Sequence, residues 1–136
     1  YGFTFALSPM LQYRICDINS ILSHVRFRDC YLTFADPLFS DDYKYGAIDY
    51  LLKNCGVHGS VSQYPVFLVQ DDPTGEVQLA FKLGAIYALN VFLLSTNDET
   101  LIHINHNGYL QILTKNKTQL GRILNTMLER RSALGQ

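Results

Sequence analysis

The sequence predicts an α+β fold, a single domain over residues 1–136 in which helices pack on a mainly antiparallel sheet. Three observations carry that expectation. Residues 76–83 alternate, with Val77, Leu79, Phe81 and Leu83 on one face, which is the period of a half-buried strand. Residues 101–105 and 109–113 flank Asn107-Gly108, a pair suited to a tight hairpin because both central residues then take positive φ. Three other segments, 9–24, 41–55 and 118–132, space their apolar residues as helices do.

In chain order, residues 2–7 alternate as a short first strand, and Ser8-Pro9 marks a helix start by capping and a preset φ. Leu11, Ile15, Ile18, Leu22 and Val25 form the stripe of that helix. Residues 25–34 turn strand-like, with Cys30, Leu32 and Phe34 on one face and Tyr31 and Thr33 on the other. Ser40-Asp41-Asp42 caps a second helix that buries Ile48, Leu51, Leu52 and Cys55 and stops at Gly56. Residues 66–69 read as a continuous apolar strand. Asp71-Asp72-Pro73-Thr74-Gly75 reads as a turn, which makes 66–83 a hairpin and 66–114 a C-terminal meander. Residues 86–94 are nearly all apolar, as in a strand covered on both faces. Asn116 or Thr118 caps the last helix, whose stripe is Leu120, Ile123, Leu124, Met127 and Leu128. Leu79, Phe81, Phe92, Ile104, Ile112, Ile123 and Leu124 are the expected core.

Composition bounds the function classes. With 136 residues, 48% of them hydrophobic and a net charge of −1, the chain is globular rather than disordered or fibrous. No apolar run approaches the roughly 18 residues that span a bilayer, and no basic segment precedes Phe3-Thr4-Phe5 as a secretory leader requires. Cys16, Cys30 and Cys55 are odd in number and lack CxxC spacing, so they read as reduced core thiols of an intracellular, cytoplasmic protein. Charge is unevenly spread. Lys115, Lys117, Arg122, Arg130 and Arg131 face only Glu129 after residue 114, whereas acids prevail before it.

Candidate chemistry is sparse. Cys55 and His58 with His103 and His106 offer zinc-type donors, but residues three apart on a strand point to opposite faces, so no metal or cofactor is expected. A cysteine nucleophile needs an exposed, electropositive niche, and Cys30 and Cys55 both sit at apolar positions. Asp71 and Asp72 serve the turn, and no glycine-rich phosphate loop is present. No catalytic residue is therefore assigned. The binding surface expected from sequence is the outer side of the second helix, where Asp42, Tyr43, Tyr45, Asp49 and Tyr50 combine acids with rigid amphipathic rings that suit a basic protein partner. Two other readings compete: a nucleic-acid surface on the basic C-terminal helix, and a small enzyme using His58 with a cysteine or carboxylate near residues 56–62.

The strand run ending in Asn105-His106-Asn107-Gly108-Tyr109, followed by an apolar helix, resembles the layout of toxin-neutralising immunity domains. Asn97-Asp98-Glu99-Thr100 before that hairpin is similar to the strand rhythm of a polo box. Both likenesses lie within residues 76–131 and rest on pattern, without a diagnostic motif. Either would imply a non-enzymatic, regulatory or toxin-neutralising protein-binding module.

Overall fold

The computed structural model of the chain describes residues 1–34, 42–54, 66–86, 90–105 and 107–135, with the backbone alone at 42–45. Along it run β1 (Gly2–Ala6), α1 (Leu11–Leu22), β2 (Cys30–Phe34), α2 (Asp42–Asn54), β3 (Val66–Val69), α3 (Glu76–Ile86), β4 (Val91–Ser95), β5 (Thr100–Ile104), β6 (Tyr109–Thr114) and α4 (Lys117–Ala133). The strands form one sheet in the order β1-β6-β5-β4-β2-β3, and every pairing is antiparallel. The α+β class is as the sequence predicts. The composition of the meander is not.

Residues 76–83, expected as a strand, lie in helix α3, which continues to Ile86 through the expected break at Gly84-Ala85. Two periods coexist in this stretch, and the helical one wins because it buries more. Val77, Ala80, Phe81, Gly84 and Ala85 recur at steps of three, one, three and one, and all five are buried. Leu79, central to the alternating reading, is 45% exposed. Asp72 also starts a helix rather than a hairpin: its carboxylate accepts the Val77 and Gln78 amides at 3.1 and 2.9 Å, so two orphan donors of the first turn are satisfied. Within α3 the absence of a side chain at Gly84 matters for packing. A Cβ there would meet Phe34 Cε1 at 2.6 Å, which shows how closely α3 lies on β2. The expected hairpin over 66–83 is therefore absent, and β3 pairs with β2 instead.

The other elements follow the sequence with local shifts. Helix α1 starts at Leu11, later than Ser8-Pro9 suggests, although the Ser8 hydroxyl still accepts the Met10 amide. Its buried side is Ile18, Ile21 and Leu22 with Asp17 and Ser20, while Leu11 and Ile15 are exposed. In the β5–β6 connection Gly108 has φ +80° and its amide donates to the Asn105 carbonyl at 3.0 Å, so the turn closes one position earlier than an Asn107-Gly108 centre implies. The Asn105 carboxamide shapes it by accepting the Asn107 and Tyr109 amides. Asn116 caps α4 by accepting from the Gln119 amide, as predicted, and Leu128 on the expected stripe is exposed. The second-helix terminator at Gly56 and the third cysteine, Cys55, lie outside the described residues.

All four described helices share one side of the sheet. Helix α4 packs on α1, α1 on α3 and α3 on α2, which gives a layer α4-α1-α3-α2. Beneath it lie Leu32, Phe34, Phe67, Val91, Leu93, Ile102, Ile104, Leu110 and Ile112, all buried. Of the expected core, Phe81, Ile104, Ile112 and Ile123 are in place and Leu124 is half-buried. Phe92 is half-buried too, because it points to the opposite face.

Polar contacts lock the layer. Thr100 Oγ1 lies 3.0 Å from both Thr114 Oγ1 and Gln119 Oε1, and Gln119 Nε2 donates to the His24 carbonyl. Helices α1 and α4 are clamped by Arg131, whose Nε and Nη2 donate to the two Asp17 oxygens at 2.8 and 2.5 Å. Asp17 is fully buried, and its carboxylate holds the Arg131 guanidinium above the usual arginine range, chiefly through that hydrogen bond.

Two outcomes test this packing. In urea unfolding, Phe81→Ala is expected to cost roughly 3–5 kcal/mol, the usual loss for an emptied aromatic site, and Phe92→Ala under about 1.5 kcal/mol. The reverse ranking would favour the strand expected over residues 76–83. Arg131→Met is expected to cost roughly 3–5 kcal/mol by stranding a buried carboxylate, and Asp17→Leu added to it should restore most of the loss. Equal stability of wild type and Arg131→Met would show that Asp17 is solvated.

Candidate binding face

Successive side chains of a strand point to opposite sides, so each strand here presents one set to the helices and another away from them. The second set is unusually apolar. The cross-strand register places Gly2, Leu113, Leu101, Leu94, Tyr31 and Leu68 in a single row across all six strands. Leu94 and Tyr31 are each 41% exposed, and Leu113 and Leu68 each 52%. Near one end of this row, a shallow depression of about 430 Å³ is lined by Leu94, Leu101 and Leu113 together with Tyr1, Glu99 and Lys115. The Lys115 ammonium stands 3.6 Å from the Glu99 carboxylate at its rim.

The next row along the strands is Thr4, Gln111, His103, Phe92, Thr33 and Val66. Its centre is organised. The rings of Phe92 and His103 stack at 4.0 Å with planes 3° apart. His103 Nδ1 lies 3.0 Å from Gln111 Oε1 and Nε2 lies 3.3 Å from Asn90 Oδ1. A carboxamide offers both a donor and an acceptor end, so a neutral imidazole can be satisfied at both nitrogens. No Lys, Arg, Asp or Glu occurs in either row. Chemically, this face can exclude water against another surface.

The residues expected to bind a partner lie elsewhere. On α2, Tyr50 is 67% exposed and Asp49 is half-buried, while Ile48 and Leu52 point inward as expected. The side chains of Asp42, Tyr43 and Tyr45 lie outside the described residues. So do Cys55, His58 and His106, three of the four candidate metal donors, and the loop of the enzyme reading. Among the described residues no three His, Cys, Asp or Glu side chains are grouped to hold a metal ion. The basic residues near α4 do not share one face. Arg131 clamps Asp17, Lys115 meets Glu99, and Lys117 stands 6.0 Å from the Tyr1 ring. No described helix is long and apolar enough to cross a membrane.

Sequence reasoning missed the open face, though a signal was present. The apolar run ending at Leu94 reads as a strand covered on both sides, and the described chain covers β4 on one. On the helix side, a smaller apolar cleft of about 260 Å³ runs between β1 and α4, lined by Phe3, Phe5, Leu124, Met127, Leu128 and Arg131. Comparison with protein-family models, curated proteins and solved structures finds no match to this chain. Neither the immunity-domain nor the polo-box likeness is reinforced by it.

Cys16 and Cys30 are free thiols. Cys30 is fully buried, and burial, with smaller contributions from Asp72 and Asp29, pushes its thiol up to about 11. A raised folded-state value favours the protonated fold, so this contribution is complete below about pH 9 and is lost as pH climbs towards 11. Between pH 8 and 11, wild type should lose about 2 kcal/mol more stability than Cys30→Ala, as read by urea unfolding at each pH. Parallel losses in the two proteins would mean that the thiolate is accommodated.

Proposed function

We propose that this chain is a protein-binding module whose docking surface is the open sheet face. The observation that carries the reading is the Leu113-Leu101-Leu94-Tyr31-Leu68 row, five large side chains in one line with no described helix over them. Contiguous exposed apolar surface of this kind marks interaction sites, because leaving it wet is unfavourable. Affinity would come from the leucines and Tyr31, and orientation from the Asn90-His103-Gln111 hydrogen bonds beside them. A reducing intracellular setting belongs to this reading and is supported by the free thiols.

A second surface is proposed on α2, where Asp42, Tyr43, Tyr45, Asp49 and Tyr50 would meet a basic partner. Its support is the exposed ring of Tyr50 on a helix at the end of the helical layer, remote from the sheet face. The nucleic-acid reading has less support, since Arg131 and Lys115 are engaged within the chain.

Affinity capture with three immobilised proteins separates the surfaces. Partners held by wild type should be lost about tenfold or more by Leu94→Asp, which puts a charge into a dry contact. They should persist on Asp42→Lys/Asp49→Lys. The opposite pattern would move the site to α2, and retention by both variants would remove both surfaces.

A further inference from the structure

We infer that the open sheet face docks on a second copy of this chain, forming a two-fold, sheet-on-sheet dimer. The inference rests on the reading of that face as a docking surface and adds its occupant. Three observations favour a copy over a foreign partner.

The first is charge. A two-fold contact brings a surface against itself, so any lysine or carboxylate near its centre risks facing its own likeness. The two face rows hold no charged side chain, and the Glu99–Lys115 pair lies at the rim with both signs together. A surface selected for a distinct partner ordinarily carries a complementary potential, which this one lacks.

The second is shape and pattern. The leucine row runs straight across the strands, with the paired Leu94 and Leu101 on the two middle strands. A two-fold axis along the row sets leucine on its own copy, and one along the strands between β4 and β5 sets Leu94 on the other copy's Leu101. Both arrangements match apolar to apolar. Sheets stacked at about 10 Å with strands roughly 30° apart are an ordinary way to close such a face.

The third is area. Six strands at about 4.8 Å spacing and five residues at about 3.3 Å rise give a face on the order of 500 Å² in plan. Side-chain relief adds to this, which brings it to the lower end of the roughly 600–1,000 Å² per partner that stable complexes bury. The polar groups of Asn90, His103 and Gln111 are already hydrogen-bonded to one another, which lowers the cost of burying them. An interface of this size and composition fits a dimer in the micromolar range.

Sedimentation velocity on the purified chain over about 1–300 µM tests the inference, with circular dichroism as a check of folding. Wild type should pass from monomer to dimer with a midpoint in that range, and Leu94→Asp should stay monomeric throughout with an unchanged spectrum. Should Leu94→Asp misfold, Leu113→Asp at an exposed site is expected to weaken association about tenfold. A wild type that stays monomeric overturns the inference, as does a folded Leu94→Asp that dimerises normally. Anilinonaphthalene sulfonate separates this from the broader reading. Dye bound by monomeric wild type and lost in Leu94→Asp leaves the docking face standing without its second copy, and dye ignored by both proteins removes the face itself.

Discussion

A six-stranded antiparallel sheet has two faces, and the described helices of this chain supply cover for one. That constraint organises the rest. Helices α4, α1, α3 and α2 form a single layer, and the side chains beneath it are buried from β6 across to β3. The layer is held by short-range fit, most tightly where Gly84 lies on Phe34, and by two polar clamps. One joins Thr100, Thr114 and Gln119, and the other joins Asp17 to Arg131. Such contacts fix the helices to one side so firmly that the opposite side must find its cover beyond these elements or face water.

How much of this was legible in the sequence depends on whether one period dominated. In α4 and in β6 a single pattern prevails, and both elements emerge within a residue or two of expectation. In residues 76–86 two patterns overlap, since Val77 and Phe81 belong to both. Period two recruits Leu79 and Leu83, and period 3.6 recruits Ala80, Gly84 and Ala85. Small residues look weak as a hydrophobic signal, yet they permit the closest approach of a helix to a sheet, so the weaker-looking pattern gains more contact. Asp72 was ambiguous for a similar reason, because the same carboxylate can cap a helix or shape a turn.

The candidate site was harder to see than the fold. Outward positions on an antiparallel sheet are normally polar, so Tyr31, Leu68, Leu94 and Leu113 look like extra core rather than surface. Their placement in one row depends on pairings between strands far apart in sequence, β1 with β6 and β2 with β4. Local periodicity carries no information about those pairings. By contrast, the α2 surface was legible because a helix shows its outer face within a few turns of sequence, although legibility of a surface does not make it a contact.

The pairing of β1 with β6 joins segments far apart in the sequence, for the Tyr1 nitrogen donates to the Thr114 carbonyl across 113 positions. Closing so long a loop carries a large entropic penalty, while β1 itself recovers little, because four of its five residues are exposed. The strand therefore belongs among the last parts to zip during folding and the first to peel away from the native sheet. When it peels, the backbone edge of β6 is uncovered and the cleft beside α4 loses the wall made by Phe3 and Phe5. The outermost strand acts as a detachable selvedge, and the alternate β6 amides on that edge, Thr114 among them, would exchange at a rate set by β1 rather than by the core.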